Sequence, residues 1–283
     1  MKRRFSDRIG VTGSSVVQLE TMNSSLRNSL WNLLLGTVFS GGPEKYRAKV
    51  QFISERFFKL PRDEVPHYGQ QVQAWLKKIF YHDSFQWWHV YNLLEFAADH
   101  PGELLGSFNP DKFIVEANRI LEEEAAGYRF IGSVLTPITN SSEISGIEEA
   151  IAASRAANLF GAQEHLKTAI ELLSKRPSPD YRNSIKESIS SLESLVKQIT
   201  GEEGGGLEKA LTKLDAKVKF HGAFRSGLLS LYGYTSDEDG IRHAILEEPE
   251  LGFDEAKFML VACSALVNLI ISKASKHGLL PAP

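Results

Sequence analysis

Apolar residues recur every three or four positions along most of the chain, which is the spacing of helices with one buried face. In the first half, this pattern predicts five helices over residues 24–39, 46–60, 68–81, 85–100 and 111–127. The last of them has a start signal, because Asn109 precedes Pro110 and Asp111. The first half is therefore predicted to be a helical domain.

The pattern changes over residues 127–139, where β-branched and aromatic residues flank the pair Gly132 and Ser133. This segment predicts a small two-stranded β-hairpin. Asn140 and Glu143 then have the spacing of a helix N-terminus. We place the junction between two domains at this hairpin and linker, residues 127–143.

The second half returns to the helical spacing. It predicts helices over residues 144–175 (one long helix or a broken pair), 180–200, 207–219, 223–232, 241–246 and 254–276. These helices would form a bundle. All four tryptophans lie in the first ninety residues, and this shift in composition supports two domains. The fold class is therefore predicted as all-α, with helical domains at 1–126 and 144–283 and a small β-hairpin near their junction.

Composition narrows the functional classes. The 283 residues have a net charge of −3 and no obvious basic stripe, which proteins that hold a long nucleic acid usually have. If RNA is the substrate, we therefore expect it to enter a local site and not to lie across a broad surface. The lone Cys263 excludes an internal disulfide, and its place in an apolar run indicates packing. No secretory signal is evident, and the apolar run 258–271 is short and interrupted, so we expect a cytoplasmic protein without a membrane span.

Polar residues gather at the start of the predicted helix 180–200. Arg182, Asn183 and Glu187 lie in its first turns, and Asn183 and Glu187 are one turn apart, roughly opposite the apolar stripe. One interpretation is a solvated helix face. The other is the wall of a cleft, which a second copy of the chain would complete.

A second cluster, Arg242 and His243, lies where a polar loop leads into a predicted helix. Arginine can bind a phosphate and histidine can transfer a proton, so together they can cleave RNA without a metal. The alternative is a capped helix start with an incidental histidine. His82 and His89 are seven residues apart without an evident third ligand, and the sequence has no phosphate-binding loop, so we predict neither a metal nor a cofactor.

Several segments resemble a known family. RFSDRIG at residues 4–10 and LRNSLWN at 26–32 resemble the N-terminal domain of AbiJ-type abortive-infection proteins, in its fourth variety. The later segments look like the half that accompanies this domain, which is similar to the HEPN class of helical bundles. They are YRFI at 128–131, PIT at 137–139, DYRNSIKESIS at 180–190 and GIRHA at 240–244.

The resemblance implies a homodimeric, metal-independent endoribonuclease in antiphage defence. HEPN domains typically have an arginine, a polar residue, and a histidine four to six residues after the arginine. Arg182 and Asn183 fit this pattern, but Glu187 stands where the histidine is expected. The literal spacing occurs only at Arg62 and His67, with a proline between them and in the other domain.

Two explanations of this departure remain. Either Glu187 acts as a base and Arg242 and His243 complete the site, or the nuclease activity is lost and the cleft only binds. We predict that Arg182 and Arg242 bind phosphate, that His243 is the acid or base, and that Asn183 and Glu187 orient it. The alternative is a non-catalytic dimerisation or ligand-binding module, with a phage or host protein recognised by the N-terminal domain.

Overall fold

The computed structural model describes residues 18–41, 43–104, 108–175, 178–202, 204–236 and 251–281. They are mostly helical with one small antiparallel hairpin, which confirms the all-α prediction. The chain divides into two compact units, Met1–Thr139 and Asn140–Pro283. The division falls inside the predicted junction at 127–143, and the hairpin belongs to the first unit.

All five helices predicted in the first unit are present, with ends that differ by a few residues. They are α1 (Ser24–Gly36), α2 (Pro43–Ile53, continuing as a π-helical turn at Ser54–Phe58), α3 (Gly69–Phe80), α4 (Trp87–Asp99) and α5 (Pro110–Glu123). Asn23 and Asn109 begin α1 and α5, because the oxygen of each side chain accepts a hydrogen bond from a first-turn N–H. The core of this unit is rich in leucine and aromatic residues.

The hairpin consists of β1 (Arg129–Ile131) and β2 (Val134–Thr136), with Phe130 opposite Leu135. Gly132 turns the chain with a φ of 59°, which a glycine adopts without strain. Two side chains attach the hairpin to helices. Asn118 of α5 accepts from the Phe130 N–H at 2.7 Å and donates to its carbonyl at 3.0 Å, and Glu95 of α4 accepts from the Leu135 N–H at 2.7 Å.

The described residues of the second unit form six helices. They are α6 (Ser141–Ala156), α7 (Phe160–Ser174), α8 (Tyr181–Thr200), α9 (Leu207–Val218), α10 (Gly222–Ser236) and α11 (Phe253–Lys276). The predicted segment 144–175 is thus a broken pair, and Asn158 lies at the break with a φ of 57°. Asparagine tolerates this left-handed conformation better than most residues. The predicted helix at 241–246 lies outside the described residues.

Helices α7 and α8 form an antiparallel pair with a close seam. The Ser184 hydroxyl donates to the Ala169 carbonyl at 2.8 Å, and the Asp180 N–H donates to the Leu172 carbonyl at 3.0 Å. Further along, a Cβ on Gly161 would collide with the Ser194 hydroxyl, so the helices approach closely there as well. Small side chains therefore hold α7 and α8 in a defined register.

Helix α11 extends beyond the apolar run 258–271 at both ends. One face is buried and packs against α6, α7 and α8. Cys263 lies fully inside, and burial raises the pKa of its thiol, which agrees with a packing role. Among the described residues, α11 is the one helix whose length and apolar composition would also suit a membrane, but core helices of soluble proteins have the same properties.

Candidate functional site

The N-terminus of α8 is capped by Asp180. Its carboxylate accepts the Asn183 side-chain amide at 2.8 Å and the Asn183 backbone N–H at 3.1 Å. The hydrogen bonds from Asn183, with help from the nearby charges of Lys175 and Arg182, hold the pKa of Asp180 below its usual value. Asn183 therefore has a structural task in addition to any functional one.

Arg182 and Asn183 are exposed, and Glu187 is partly buried one turn further along α8. The buried residues Ile185 and Ile189 lie on the side of the helix opposite Glu187. Within the part of the chain that the structure describes, Arg182 makes no hydrogen bond and no ion pair within 4 Å. Its guanidinium is thus available to an anion in solution.

Glu187 contacts His165, a residue that was not predicted as part of the site. The His165 Nδ1 of α7 lies 2.6 Å from the Glu187 Oε2, across the seam between the two helices. On α7, His165 is flanked by the buried residues Ala162, Leu166 and Ala169, so it lies at the edge of the buried stripe. From its position in the sequence, His165 could therefore be expected to lie beside another helix. Helical spacing alone does not identify which helix that is.

The start of α8 lies beside the start of α11. The Tyr181 and Phe253 rings meet edge to face, with their centroids 6.4 Å apart. Arg242 and His243 lie outside the described residues, in the segment that leads towards Phe253. The structure therefore brings Arg182, Asn183 and Glu187 onto one helix start and adds His165, while the second predicted cluster has no described position.

The paired histidines of the first unit have local roles. The Nδ1 of His82 bonds the Ser84 hydroxyl at 2.7 Å, and the Gln86 N–H donates to the Nδ1 of His89 at 3.0 Å, at the start of α4. Across the described ranges, no group of three His, Cys, Asp or Glu side chains is placed to hold a metal ion.

Comparison with known proteins identifies the class of the chain. The family model described as AbiJ N-terminal domain 4 matches residues 3–153, which is more than half of the chain. The chain therefore belongs to this family of AbiJ proteins, which points to a role in abortive infection. The match covers the first unit and ends within α6. Searches of the curated proteins and of the solved structures found no match.

Proposed function

We propose that this AbiJ-family protein is an antiphage endoribonuclease that works without a metal, through a HEPN-like site in its second unit. Family membership supports the defence role. The observation that carries the nuclease proposal is the start of α8, where the exposed Arg182 precedes by five residues Glu187, a carboxylate bonded to an imidazole. An anion-binding group beside a proton-transfer pair is what phosphodiester cleavage requires.

The edge contact of Tyr181 with Phe253 supports a single site that also contains Arg242 and His243. His243 precedes Phe253 by ten residues, and ten residues span at most about 36 Å when extended. The chain connection therefore permits both clusters to meet one phosphate. In this site, Arg182 and Arg242 bind the phosphate and His243 transfers a proton. Asn183 holds the start of α8 through Asp180, and Glu187 orients the imidazole to which it is bonded, that of His165.

The reaction is an attack of the RNA 2′-hydroxyl on the adjacent phosphorus. The arginines stabilise the negative charge that gathers on the phosphate oxygens in the transition state. The resemblance to HEPN bundles implies a homodimer in which two copies of the motif share a cleft. The first unit would then sense a phage or host protein and release or restrain the nuclease.

The test is cleavage of end-labelled total RNA by the purified full-length chain in excess EDTA. Arg182→Ala, Arg242→Ala and His243→Ala should each reduce the rate on the order of 10²–10³-fold, while melting temperatures stay near that of the wild type. Arg155→Ala is the matched control, because Arg155 is exposed on α6 of the same unit. Cleavage by His243→Ala at the wild-type rate would remove that residue from the site. A wild-type protein that leaves RNA intact would refute the proposal.

A second candidate is a HEPN-like module that binds RNA or a nucleotide but does not cut it. Two observations favour it: Glu187 replaces the histidine of the expected pattern, and the Asn183 amide is engaged in the helix cap. The two candidates differ in one measurement. The binding module retains RNA on a filter through Arg182 and releases it uncut, whereas the nuclease releases shorter products.

A further inference from the structure

The contact between His165 and Glu187 goes beyond the residues that the family pattern supplies. We propose that His165 is the general base of the RNA-cleaving site and that Glu187 is its positioning residue. This inference rests on the proposed nuclease function. It assigns to α7 the imidazole that is missing from its usual place on α8.

The hydrogen bond determines which ring nitrogen can act. The Glu187 Oε2 lies 2.6 Å from Nδ1 and, as a carboxylate, can only accept, so Nδ1 carries the proton. In the neutral ring, Nε2 then has a free lone pair and is the atom that can take a proton. Among the described residues, Nε2 has no hydrogen-bond partner, so a substrate hydroxyl can approach it.

The exposed fractions of the two side chains are those expected of a base and the residue that orients it. The side chain of His165 is 39% exposed and that of Glu187 is 22% exposed, so the imidazole reaches further into solvent than the carboxylate that holds it. A surface ion pair of this kind contributes little to the stability of a fold. The more important effect of the pair is to fix the tautomer and the direction of the His165 ring. Hydrogen-bond partners have the same effect on catalytic and metal-binding histidines.

The helices around the pair keep its position relative to Arg182. Ser184 is bonded to Ala169 one turn from the contact, and the close approach at Gly161 and Ser194 limits sliding on the other side. His165 and Glu187 thus occupy rigid elements and not loops, which is the arrangement that preserves catalytic geometry. His165 lies beside the second turn of α8 through its bond to Glu187, and Arg182 lies in the first turn of the same helix.

The proposed step balances without any added reagent. The Nε2 of His165 takes the proton from the 2′-hydroxyl while the bond from O2′ to phosphorus forms. The bond from phosphorus to O5′ breaks, and O5′ takes a proton from water. The products are a 2′,3′-cyclic phosphate and a 5′-hydroxyl, and His165 returns its proton to solvent.

The experiment uses the full-length chain and two substrates, an RNA oligonucleotide and the same RNA with sulfur in place of the bridging O5′. The sulfur leaves without protonation, so it removes the need for an acid but not for a base. His165→Ala should be slower on both substrates, on the order of 10²–10⁴-fold, and added imidazole should restore part of the rate.

The positioning role of Glu187 has its own readout. Glu187→Gln should reduce kcat by roughly 10–100-fold with little change in KM, because the ring loses its orientation but RNA still binds. The matched control is Glu164→Gln on α7, since Glu164 is exposed and pairs with Lys167 at 3.0 Å. This control should cleave like the wild type.

The outcomes separate this inference from the function on which it rests. If His165→Ala and His165→Gln cleave at the wild-type rate while Arg182→Ala is inactive, the nuclease stands and the inference is wrong. If His165→Ala is inactive, melts early and gains nothing from imidazole, His165 is structural and the inference is again wrong. If the wild type cleaves neither substrate, the proposed function itself fails.

Discussion

In the first unit, Asn118, Glu95 and Arg129 direct their polar atoms to backbone groups, whereas in the second unit His165 and Glu187 bond each other at the surface of two helices. Polar atoms that serve buried backbone groups maintain a fold, because leaving such groups unpaired is costly. Polar atoms that pair at the surface add little to a fold and remain open to a ligand. For this reason we assign the candidate chemistry to His165 and Glu187 and not to Asn118, Glu95 or Arg129.

Glu95 and Arg129 illustrate the structural use of charge. Burial raises the pKa of Glu95, and the hydrogen bond from Leu135 opposes that rise. Burial lowers the pKa of Arg129, whose guanidinium donates to the Ala126 and Tyr128 carbonyls. Both side chains are committed to the hairpin region, so neither is available to a substrate.

The largest effect on stability is expected in the aromatic core of the first unit. Phe130→Ala should reduce its free energy of unfolding by about 3–5 kcal/mol, because the ring is fully buried against Phe113. Urea unfolding followed by tryptophan fluorescence reports this unit alone, since all four tryptophans lie in it. Val115→Ala is the control, because Val115 is 70% exposed. Equal losses for the two variants would break the contrast between core and surface.

The stability losses of two asparagine variants, one in each unit, can be compared directly. Asn118→Ala removes two hydrogen bonds to the hairpin and should destabilise the first unit by about 1–3 kcal/mol. Asn183→Ala removes one exposed hydrogen bond and should cost less than about 1 kcal/mol, because Asp180 still caps α8. Hydrogen exchange read separately over the hairpin and α8 measures both. The reverse order would show that the polar face of α8 is structural.

The second unit also contains a carboxylate with a structural task, and pH distinguishes it from Glu187. Ion pairs with Lys213 and Lys209 lower the pKa of Glu202 from 4.5 to about 2. A lowered folded-state pKa means that its stabilisation is present above the unfolded pKa and is lost as pH falls towards 2. The difference in melting temperature between wild type and Glu202→Gln should therefore shrink with acidification below about pH 4.5. A difference that does not change with pH would contradict this role.

Most of the fold follows from the sequence because helical spacing and caps are local. Asn109 and Asn140 mark helix starts in the sequence, and each accepts the expected hydrogen bonds from first-turn N–H groups. Exact ends were less predictable, since α2 runs into a π-helical turn whose geometry depends on packing. The break between α6 and α7 was also hard to predict, because the residue in the left-handed conformation is Asn158 and not a glycine, and no proline stands there.

The candidate site was only partly predictable. The polar side of α8 with Asn183 and Glu187 followed from spacing on one helix. The partner of Glu187 did not, because His165 is 22 residues away and on another helix, and periodicity does not decide which helices meet. The HEPN pattern would place a histidine on α8, whereas the imidazole bonded to Glu187 belongs to α7.

The burial of Cys263 has a practical consequence for spectroscopy. It is the single thiol in the chain and has no exposed surface, so maleimide dyes should leave the native protein unlabelled. A cysteine introduced at an exposed position such as Val115 or Phe160 would then react alone. Fluorophores attached in this way would test the proposed assembly of copies and the proposed binding of RNA, without any need to remove the natural residue.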